Sequence, residues 1–535
     1  MFVRRNKGRK GTYTVQVVEK TRGKVSVVAS FGTSSDSDEL NNFEKDARKF
    51  IDNKMGQLKL FVGAIDNQVR SLVSELSGAQ IQVVGPELIL GKVFDSIGFE
   101  KVGGELFRYL VLSRLVFPGS KLRTVDYLSR FQGIEYSVSK VYRFLDTLKD
   151  EVKKEIEEIA LTHVKKVLGE PFTAVFYDIT TLYFETSRED DLRRIGYSKD
   201  GKVNHPQILV GLMVGERGFP IAFDVFEGNK FEGLTLIPFL EKNKDKLGGI
   251  KPVVIADAGL LNKENLEALK TKEYEYIIGA RLRNESEALK TQILLTKIQE
   301  KTVKEFKRKD GSRLLVSFSE KRRVKDESNR TKGYNRLDSK IKSGVLTKEH
   351  INNRGYNKYL ILEGNSKVKM NKAAFDADAK WDGLKGYVTN SKLNRAQILT
   401  NYKQLWHIEK AFRISKTDLL VRPIYHRKET RIRAHILIAF ASYLVWKEVE
   451  RQLYEKESSI TPYRAMDLVQ NIYQITYTLP ESREKVFQLL KLSEEQQELV
   501  DIFSPVKWVT AMTKTGRDFV PDLGLTCYAE NSVVD

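Results

Sequence analysis

The sequence predicts a mixed α/β fold whose central sheet begins with antiparallel strands and ends with parallel ones. Strand-like runs between residues 173 and 280 follow the order βββαβαβ, and helical patterns precede and follow them. A hairpin signal comes first and helical crossovers come later, as a mixed sheet requires. At 535 residues the chain exceeds the roughly 250–300 residues over which one hydrophobic core keeps growing, so several packed units are expected.

Composition favours a polyanionic partner. Lys and Arg outnumber Asp and Glu by 90 to 71, and the resulting charge of +19 attracts phosphates over long distances. No stretch approaches the roughly 20 apolar residues of a membrane span, and the N-terminus resembles no secretory signal, so we expect no membrane contact and a cytoplasmic site of action. The single cysteine, Cys527, excludes an internal disulfide and a cysteine-based zinc cluster.

A small N-terminal module is predicted over residues 1–60. Its β-rich runs at 13–20 and 25–31 flank the turn-like sequence Thr-Arg-Gly-Lys at 21–24, which indicates a hairpin. A helix is expected to follow it.

Residues 61–168 are expected to form a helical DNA-binding domain. Within it, residues 137–148 have the pattern of a recognition helix in a helix-turn-helix, where Lys140 and Arg143 would contact phosphates or bases. A solvated amphipathic helix in an all-α domain fits the same pattern.

The strongest strand signals follow this helical region. Residues 208–214 and 219–226 flank Gly-Glu-Arg-Gly and form the clearest hairpin in the sequence. Together with the runs at 173–184, 252–259 and 274–280, this order is the pattern of an RNase H-like sheet. We assign that sheet to residues 169–290 and 380–455.

Residues 291–379 are predicted to be a basic, β-rich insertion. Residues 301–342 contain 15 Lys plus Arg and 6 Asp plus Glu, a local excess of 9, and β-like runs occur at 313–318 and 358–363. The C-terminal region, 456–535, has helical periodicity without a sustained heptad, so it is expected to serve in dimerisation or as a helical cap.

Two aspartates stand at predicted apolar strands. Asp178 lies inside the first strand, where aspartate is depleted and a buried charge costs several kcal/mol unless it is paired or metal-bound. Asp257 follows the apolar run 253–256 at the carboxyl end of a later strand, where ligand sites gather in open α/β sheets. Each has an ordinary alternative, since Asp178 could satisfy a loop amide and Asp257 could cap the following helix.

Glu409 lies on a helical stripe. Tyr402, Leu405, Glu409, Phe412 and Lys416 are spaced so that, at roughly 100° per residue, they share one face. A carboxylate in this mostly apolar stripe is expected to be buried and to need a cation. That cation would be a metal ion, Lys416 or Arg413. Alternatively, the face is only partly buried.

Three carboxylates from two strands and a helix suit Mg²⁺ or Mn²⁺, which are hard ions that prefer oxygen ligands. Two such ions, about 3.5–4 Å apart, would activate the attacking oxygen and stabilise the leaving oxygen of a phosphodiester displacement. We therefore predict Asp178, Asp257 and Glu409 to be both metal ligands and catalytic residues. The histidines show no zinc-like grouping, and His407 is expected to be structural.

The segment from Tyr402 to Lys416 resembles the Tyr-(2)-Arg-(3)-Glu-(6)-Lys signature of bacterial insertion-sequence transposases, in the branch that excises its element through DNA hairpins. Leu405 stands at the arginine position. Residues 176–181 and 254–259 resemble the first and second aspartate motifs of the same family. All three motifs occur in order, which is more specific than any one of them.

This resemblance implies a DDE transposase that binds double-stranded DNA at its terminal inverted repeats, pairs two ends as a homodimer and uses two Mg²⁺ or Mn²⁺ ions. It also implies that Tyr402 and Lys416 contact DNA near the cleavage site. Leu405 removes any phosphate contact from the signature arginine, for which Arg413 and Lys410 are possible substitutes. Two other functions are compatible with the sequence, an RNase H-like nuclease without transfer activity and a transposase-derived DNA-binding protein that does not cut.

Overall fold

The computed structural model describes most of the chain. The described residues are 1–8, 11–21, 23–169, 173–197, 204–244, 251–260, 262–346, 348–352, 355–363, 367–479, 482, 484–503, 510–513 and 516–519. Arg22 of the predicted N-terminal turn, Cys527 and most of the C-terminal region after residue 503 lie outside them. No helix among the described residues is both long enough and apolar enough to cross a bilayer.

Residues 1–81 and 475–487 form one compact unit. An antiparallel sheet and one long helix make up most of it: β1 (Phe2–Lys7), β2 (Tyr13–Thr21), β3 (Lys24–Ser34) and α1 (Ser37–Glu75). Asp36 caps α1 by accepting hydrogen bonds from the amides of Asp38 and Glu39. Strands β2 and β3 form the hairpin that the sequence predicts, and α1 continues past residue 60.

The second unit comprises residues 82–474 and 488–535. The short strands β4 (Ile81–Val83), β15 (Tyr473–Thr478) and β16 (Lys485–Leu489) contain the points at which the chain passes from one unit to the other. Helices precede the central sheet in this unit: α2 (Lys92–Ile97), α3 (Gly104–Val116), α4 (Lys121–Tyr127), α5 (Val138–Thr147) and α6 (Asp150–Leu168).

Helix α5 corresponds to the predicted recognition helix. Ser137 caps it by accepting a hydrogen bond from the amide of Lys140. Val141 and Leu145 are buried, whereas Lys140 and Arg143 are exposed on the other side of the helix. The amphipathic pattern of the sequence therefore separates a packed face from a basic face that solvent can reach.

The central sheet begins after α6. Its first strands and crossover helices are β5 (Ala174–Tyr183), β6 (Gln207–Val214), β7 (Pro220–Glu227), α7 (Leu236–Lys242), β8 (Val253–Ala256), α8 (Lys263–Thr271) and β9 (Tyr276–Ala280). Strands β5, β6 and β7 pair antiparallel, whereas β8 pairs parallel with both β5 and β9. The strand order β7-β6-β5-β8-β9 is that of an RNase H-like sheet, so the predicted fold class is confirmed.

The segment after β9 is more helical than the sequence suggested. It contains α9 (Glu287–Leu295), β10 (Val303–Lys307), β11 (Arg313–Phe318), α10 (Glu320–Lys342), β12 (Leu360–Glu363), β13 (Lys367–Met370), α11 (Lys372–Ala379) and β14 (Leu384–Thr389). Within the described residues, β14, β11 and β10 extend the central sheet beyond β9 to eight strands. Helix α10 was not predicted, because it buries only Arg330, Gly333 and Leu337 and so lacks an apolar stripe.

Helices follow the sheet: α12 (Arg395–Lys403), α13 (Trp406–Arg413), α14 (Glu429–Glu455), α15 (Pro462–Val469) and α16 (Glu494–Phe503). The short strands β17 (Thr510–Thr513) and β18 (Gly516–Phe519) come last. Helix α14 is buried along most of its length and packs against α3, α5 and β7. Helix α14 supplies apolar residues to the same face of the sheet against which α13 packs.

A second, smaller core lies between α10 and the strands that follow it. Leu337, Tyr359, Leu360 and Val368 are buried together there, apart from the large core around the central sheet. Arg330 on α10 donates to Asp382 Oδ2 through Nε at 3.2 Å and Nη2 at 2.6 Å, and both side chains are buried. This ion pair connects α10 to the start of β14.

Replacing Asp382 should weaken the anchoring of α10. Asp382→Asn leaves the buried Arg330 charge without a counter-ion, and we expect a loss of roughly 3 kcal/mol in local stability. Hydrogen exchange of the α10 amides measures this loss of local stability. The double variant Arg330→Met/Asp382→Asn should recover part of the loss, because apolar replacement of both partners is often close to neutral. Strictly additive effects of the two substitutions would contradict the pairing.

A cluster of buried basic side chains lies near the start of α14. Arg114 donates through Nη1 to the carbonyl oxygens of Leu419 at 3.0 Å and Leu420 at 3.2 Å, and its Nη2 is 3.4 Å from His435 Nδ1. The His426 ring lies 5.3 Å from the His435 ring. Burial, followed by the charges of Lys121, Arg114 and Arg431, lowers the pKa of His426 to about 4, while Asp146 opposes the shift.

This lowered pKa makes stability depend on pH. The unfolded chain takes up a proton on His426 near its ordinary pKa of 6.5, whereas the folded chain resists protonation down to about 4. The free energy of unfolding should therefore fall as the pH drops through this window and be unaffected by His426 above it. Urea titrations across the window should show a smaller fall for His426→Gln than for the wild type. An equal fall in the free energy of unfolding for the two proteins would contradict the lowered pKa of His426.

Candidate active site

Asp178 lies on β5, and Asp257 directly follows β8, the parallel strand that neighbours β5. Tyr177 of β5 is in register with Ala256 of β8, and each aspartate is the next residue along its chain. Parallel neighbours lie about 4.8 Å apart and direct side chains at matching positions to the same face. Asp178 is half-buried and Asp257 is exposed, so this pair of carboxylates borders solvent.

Glu409 comes from α13, which packs against β5 and β6. The prediction that Glu409 is buried was wrong, because its side chain is exposed. A turn at Gln404 and Leu405 separates α12 from α13, so the stripe does not continue through one helix. Ile408 and Ala411 face the core instead and leave Glu409 at the solvent side of α13.

Asp257 and Glu409 both act electrostatically on the same two side chains, Tyr402 and Lys385. Both carboxylates contribute to raising the pKa of Tyr402, although burial is the larger cause. Burial and then Arg322 lower the pKa of Lys385, whereas Asp257 and Glu409 oppose that shift. The carboxylates on β8 and α13 therefore act on the same small region of the protein.

Side-chain oxygens do not converge there as a formed metal site. Among the described residues, no group of three or more His, Cys, Asp or Glu side chains is arranged to hold a metal ion. The strand register brings the backbones of Asp178 and Asp257 together, and Glu409 lies on α13, which packs against β5. The donor chemistry is nevertheless that of a hard divalent ion, since all three side chains are carboxylates.

Tyr402 connects α12 to the aspartate on β8. Its side chain is 4% exposed, and its hydroxyl donates to Asp257 Oδ1 at 3.3 Å. The ring makes an edge-to-face contact with Tyr387, with centroids 4.6 Å apart. Because burial raises its pKa, Tyr402 keeps its proton and remains a donor to Asp257.

The other predicted DNA contacts are dispersed. Lys416 is half-buried in the helical turn Ile414–Asp418 and lines a small apolar cavity with Thr180 and Phe412. Arg413 is exposed and acts electrostatically on Asp418 and Tyr463. Lys140 and Arg143 lie on α5, outside the region around Asp257.

A large basic cleft opens beside Asp257. Its volume is about 600 Å³, and its walls come from the ends of β9 and β14, from α10 and from the loop before β12. Cations outnumber carboxylates on these walls: Arg281, Arg283, Arg322, Arg330, Lys358 and Lys385 against Asp257, Asp326 and Asp382. Tyr356, Tyr359 and Trp381 add aromatic surface. The cleft therefore combines positive charge and flat rings, which suit phosphates and bases.

Sequence patterns did not point to most of this cleft. Arg322 belongs to the basic run at 301–342, but Arg281 and Arg283 follow a strand with no motif. Lys385 offered one usable signal, since lysine is depleted in strands and this one stands inside β14.

A model of a known protein family matches about half of the chain. Residues 170–445 match the family model described as "Transposase DDE domain". That segment contains the whole central sheet, α12, α13 and most of α14. Among curated proteins, no sequence matches this chain.

Three transposase structures match the chain with low TM-scores. A piggyBac transposase synaptic complex with hairpin DNA is 10% identical, with a TM-score of 0.37 over 72% of this chain and 76% of that one. A Mos1 transposase paired-end complex with a left transposon end is 12% identical, with a TM-score of 0.15 over 32% of this chain and 58% of that one. A Mos1 mariner paired-end complex with Mn is 11% identical, with a TM-score of 0.14 over the same shares.

The contact between Tyr402 and Asp257 depends on a glycine. A Cβ on Gly279 of β9 would lie 2.5 Å from Tyr402 Oη and 3.0 Å from the Ala258 amide nitrogen. We expect Gly279→Ala to lower the free energy of unfolding by about 1–3 kcal/mol through overpacking. Urea titration measures this loss.

Tyr402→Phe is the matched test of the same contact, because it removes the atom that the new methyl group would meet. Gly279→Ala should therefore be less destabilising in the Tyr402→Phe background than in the wild type. An equal cost in both backgrounds would show that the tyrosine hydroxyl does not occupy this position.

Proposed function

The chain belongs to the transposase DDE domain family, and on that premise we propose that it is a cut-and-paste transposase that binds the terminal inverted repeats of its own insertion sequence. It would cleave a phosphodiester at each end and join the freed 3′ ends to target DNA. The observation that supports this proposal is the register of β5 and β8, which makes Asp178 and Asp257 neighbours, together with the basic cleft that Asp257 lines.

We assign the catalytic and metal-binding roles to Asp178, Asp257 and Glu409. Two Mg²⁺ or Mn²⁺ ions, when bound, would supply Lewis-acid stabilisation of the attacking and leaving oxygens. The three carboxylates repel one another, so a cation would favour their approach. Tyr402 would hold Asp257 in orientation through its hydroxyl, and the exposure of Asp257 and Glu409 leaves room for a DNA strand.

DNA binding would use charge at several places. The net charge of +19 supports attraction to the duplex, and we assign Lys140 and Arg143 of α5 to contacts with the inverted repeat in a domain spanning 61–168. Lys416 and Arg413 would contact DNA nearer the cleavage site. Burial of Tyr402 limits any DNA contact of this residue to its hydroxyl.

The remaining features of the proposal come from the resemblance of the region 402–416 to the insertion-sequence signature. They are a bacterial or archaeal element, excision through a hairpin, a homodimer that pairs two ends and action at the nucleoid in the cytoplasm. The predicted boundaries 1–60, 61–168, 291–379 and 456–535 are proposed as functional divisions on the same basis.

Leu405 favours a second candidate, a transposase-derived protein that binds its ends without cutting them. The leucine is buried, and it stands where the signature has an arginine. A nuclease without transfer activity is the third candidate. Joined products distinguish the first candidate from the third, and metal-dependent nicks distinguish both from the second.

Substituting the three carboxylates tests the active site. Asp178→Asn, Asp257→Asn and Glu409→Gln should each slow nicking of a duplex with the inverted repeat by roughly 10³-fold in Mg²⁺. Loss of several kcal/mol of charge stabilisation corresponds to that factor at about 1.4 kcal/mol per tenfold. End binding should be largely retained, and EDTA should abolish nicking by the wild type.

Glu264→Gln is the control, because it removes an exposed carboxylate in the first turn of α8 that does not line the basic cleft. It should nick at the wild-type rate. If one of the three site variants also nicks at the wild-type rate, the role assigned to that residue is wrong.

A further inference from the structure

The ammonium group of Lys385 lies against the ring of Tyr402, the side chain that contacts Asp257. Its Nζ lies 4.7 Å from the centre of the Tyr402 ring and 5.7 Å from that of Tyr387. The Tyr402 hydroxyl in turn donates to Asp257 Oδ1 at 3.3 Å. Lys385 is half-buried on β14, so its ammonium group is positioned by two ring faces and a strand.

The ammonium group of Lys385 faces the basic cleft. Lys385, Gly386 and Leu384 of β14 line the cleft together with Asp257 and Tyr402. In the part of the chain that the structure describes, no carboxylate forms an ion pair with Lys385, whereas Arg330 of the same cleft is paired with Asp382. Its charge is therefore available to an anion that enters the cleft beside Asp257.

The other basic residues near Glu409 are oriented differently. Lys410 forms an ion pair with Glu450 on α14. Arg413 is exposed and acts electrostatically on Asp418 and Tyr463. Leu405 is buried in the large core and carries no charge. Lys385 lines the cleft, and both Asp257 and Glu409 act on it electrostatically.

We propose that Lys385 contacts a phosphate of the DNA strand at the cleavage site and so supplies, from β14, the positive charge that Leu405 cannot supply from the turn between α12 and α13. This assignment rests on the proposed transposase function and names one more residue that touches its substrate. An ammonium group beside Asp257 would place a phosphate oxygen next to the carboxylates and offset their repulsion of the DNA backbone. The aromatic faces of Tyr402 and Tyr387 would limit the positions that the ammonium group can take.

Two substitutions at Lys385 separate charge from packing. Lys385→Met keeps a linear apolar stem against the tyrosine rings and removes the charge, and Lys385→Arg keeps the charge. Lys392→Gln is the control, because Lys392 is exposed beyond the opposite end of β14 and its loss changes the net charge equally. Thermal unfolding of each variant shows whether the fold is retained.

Two readouts are measured with a duplex that carries the element's terminal inverted repeat. The first is the rate of nicking in Mg²⁺, which should fall at least tenfold for Lys385→Met and stay within about threefold for Lys385→Arg, because the first substitution removes a charge-assisted contact and the second keeps it. The second is the slope of log K against log salt for duplex binding in EDTA. Loss of one phosphate contact should reduce its magnitude by about one in Lys385→Met.

The outcomes distinguish this proposal from the proposed function. Slow nicking and a reduced slope in Lys385→Met, with both restored in Lys385→Arg, support the phosphate contact. An unchanged slope in Lys385→Met, or a reduction no larger than that of Lys392→Gln, overturns it.

If the wild type binds the duplex but never nicks it, the proposed function fails, and the slope alone still decides the role of Lys385. If Lys385→Met does not fold, an unaltered slope and nicking rate for Lys385→Gln overturn the proposal instead.

Discussion

The parallel pairing of β5 with β8 is the constraint on which the rest of the candidate site depends. A shift of the register between Tyr177 and Ala256 by one residue would turn one aspartate away from the other, because side chains alternate between the two faces of a strand. Buried apolar residues on both strands, including Phe176 and Ile255, fix that register through the large core. The packing that holds the two aspartates in position therefore lies in the buried core and not at the solvent-exposed rim.

Much of the sheet could be predicted because its strands carry strong local signals. The hairpin of β6 and β7 is marked by apolar runs on both sides of a glycine-containing turn, and the βββαβαβ order implies a mixed sheet. Asp178 and Asp257 could be identified as candidates because a carboxylate within or directly after an apolar strand has to be paired, hydrogen-bonded or bound to a metal ion. Their proximity in the structure follows from strand pairing, which a single sequence does not specify.

Other features depend on packing that periodicity cannot show. Helix α10 has too few buried residues to create an apolar stripe, so its charged sequence was assigned to a β-rich insertion. Glu409 shares its spacing with buried residues, but the turn at Gln404 and Leu405 changes which side of the next helix faces the core. The sequence marked Lys385 only as a lysine inside a strand, because its contact with the Tyr402 ring joins two separate elements, β14 and α12.

The separate small core around Leu337, Tyr359, Leu360 and Val368 has a mechanical consequence. Regions with few apolar contacts open at a lower free-energy cost than the sheet that supports them, and they do so as contiguous cooperative units. One wall of the basic cleft, built on α10, therefore has less apolar support than the opposite wall, which lies on the central sheet. We expect the α10 wall to open at a lower free-energy cost than the sheet, while packing in the large core keeps the strands next to the acidic residues in register.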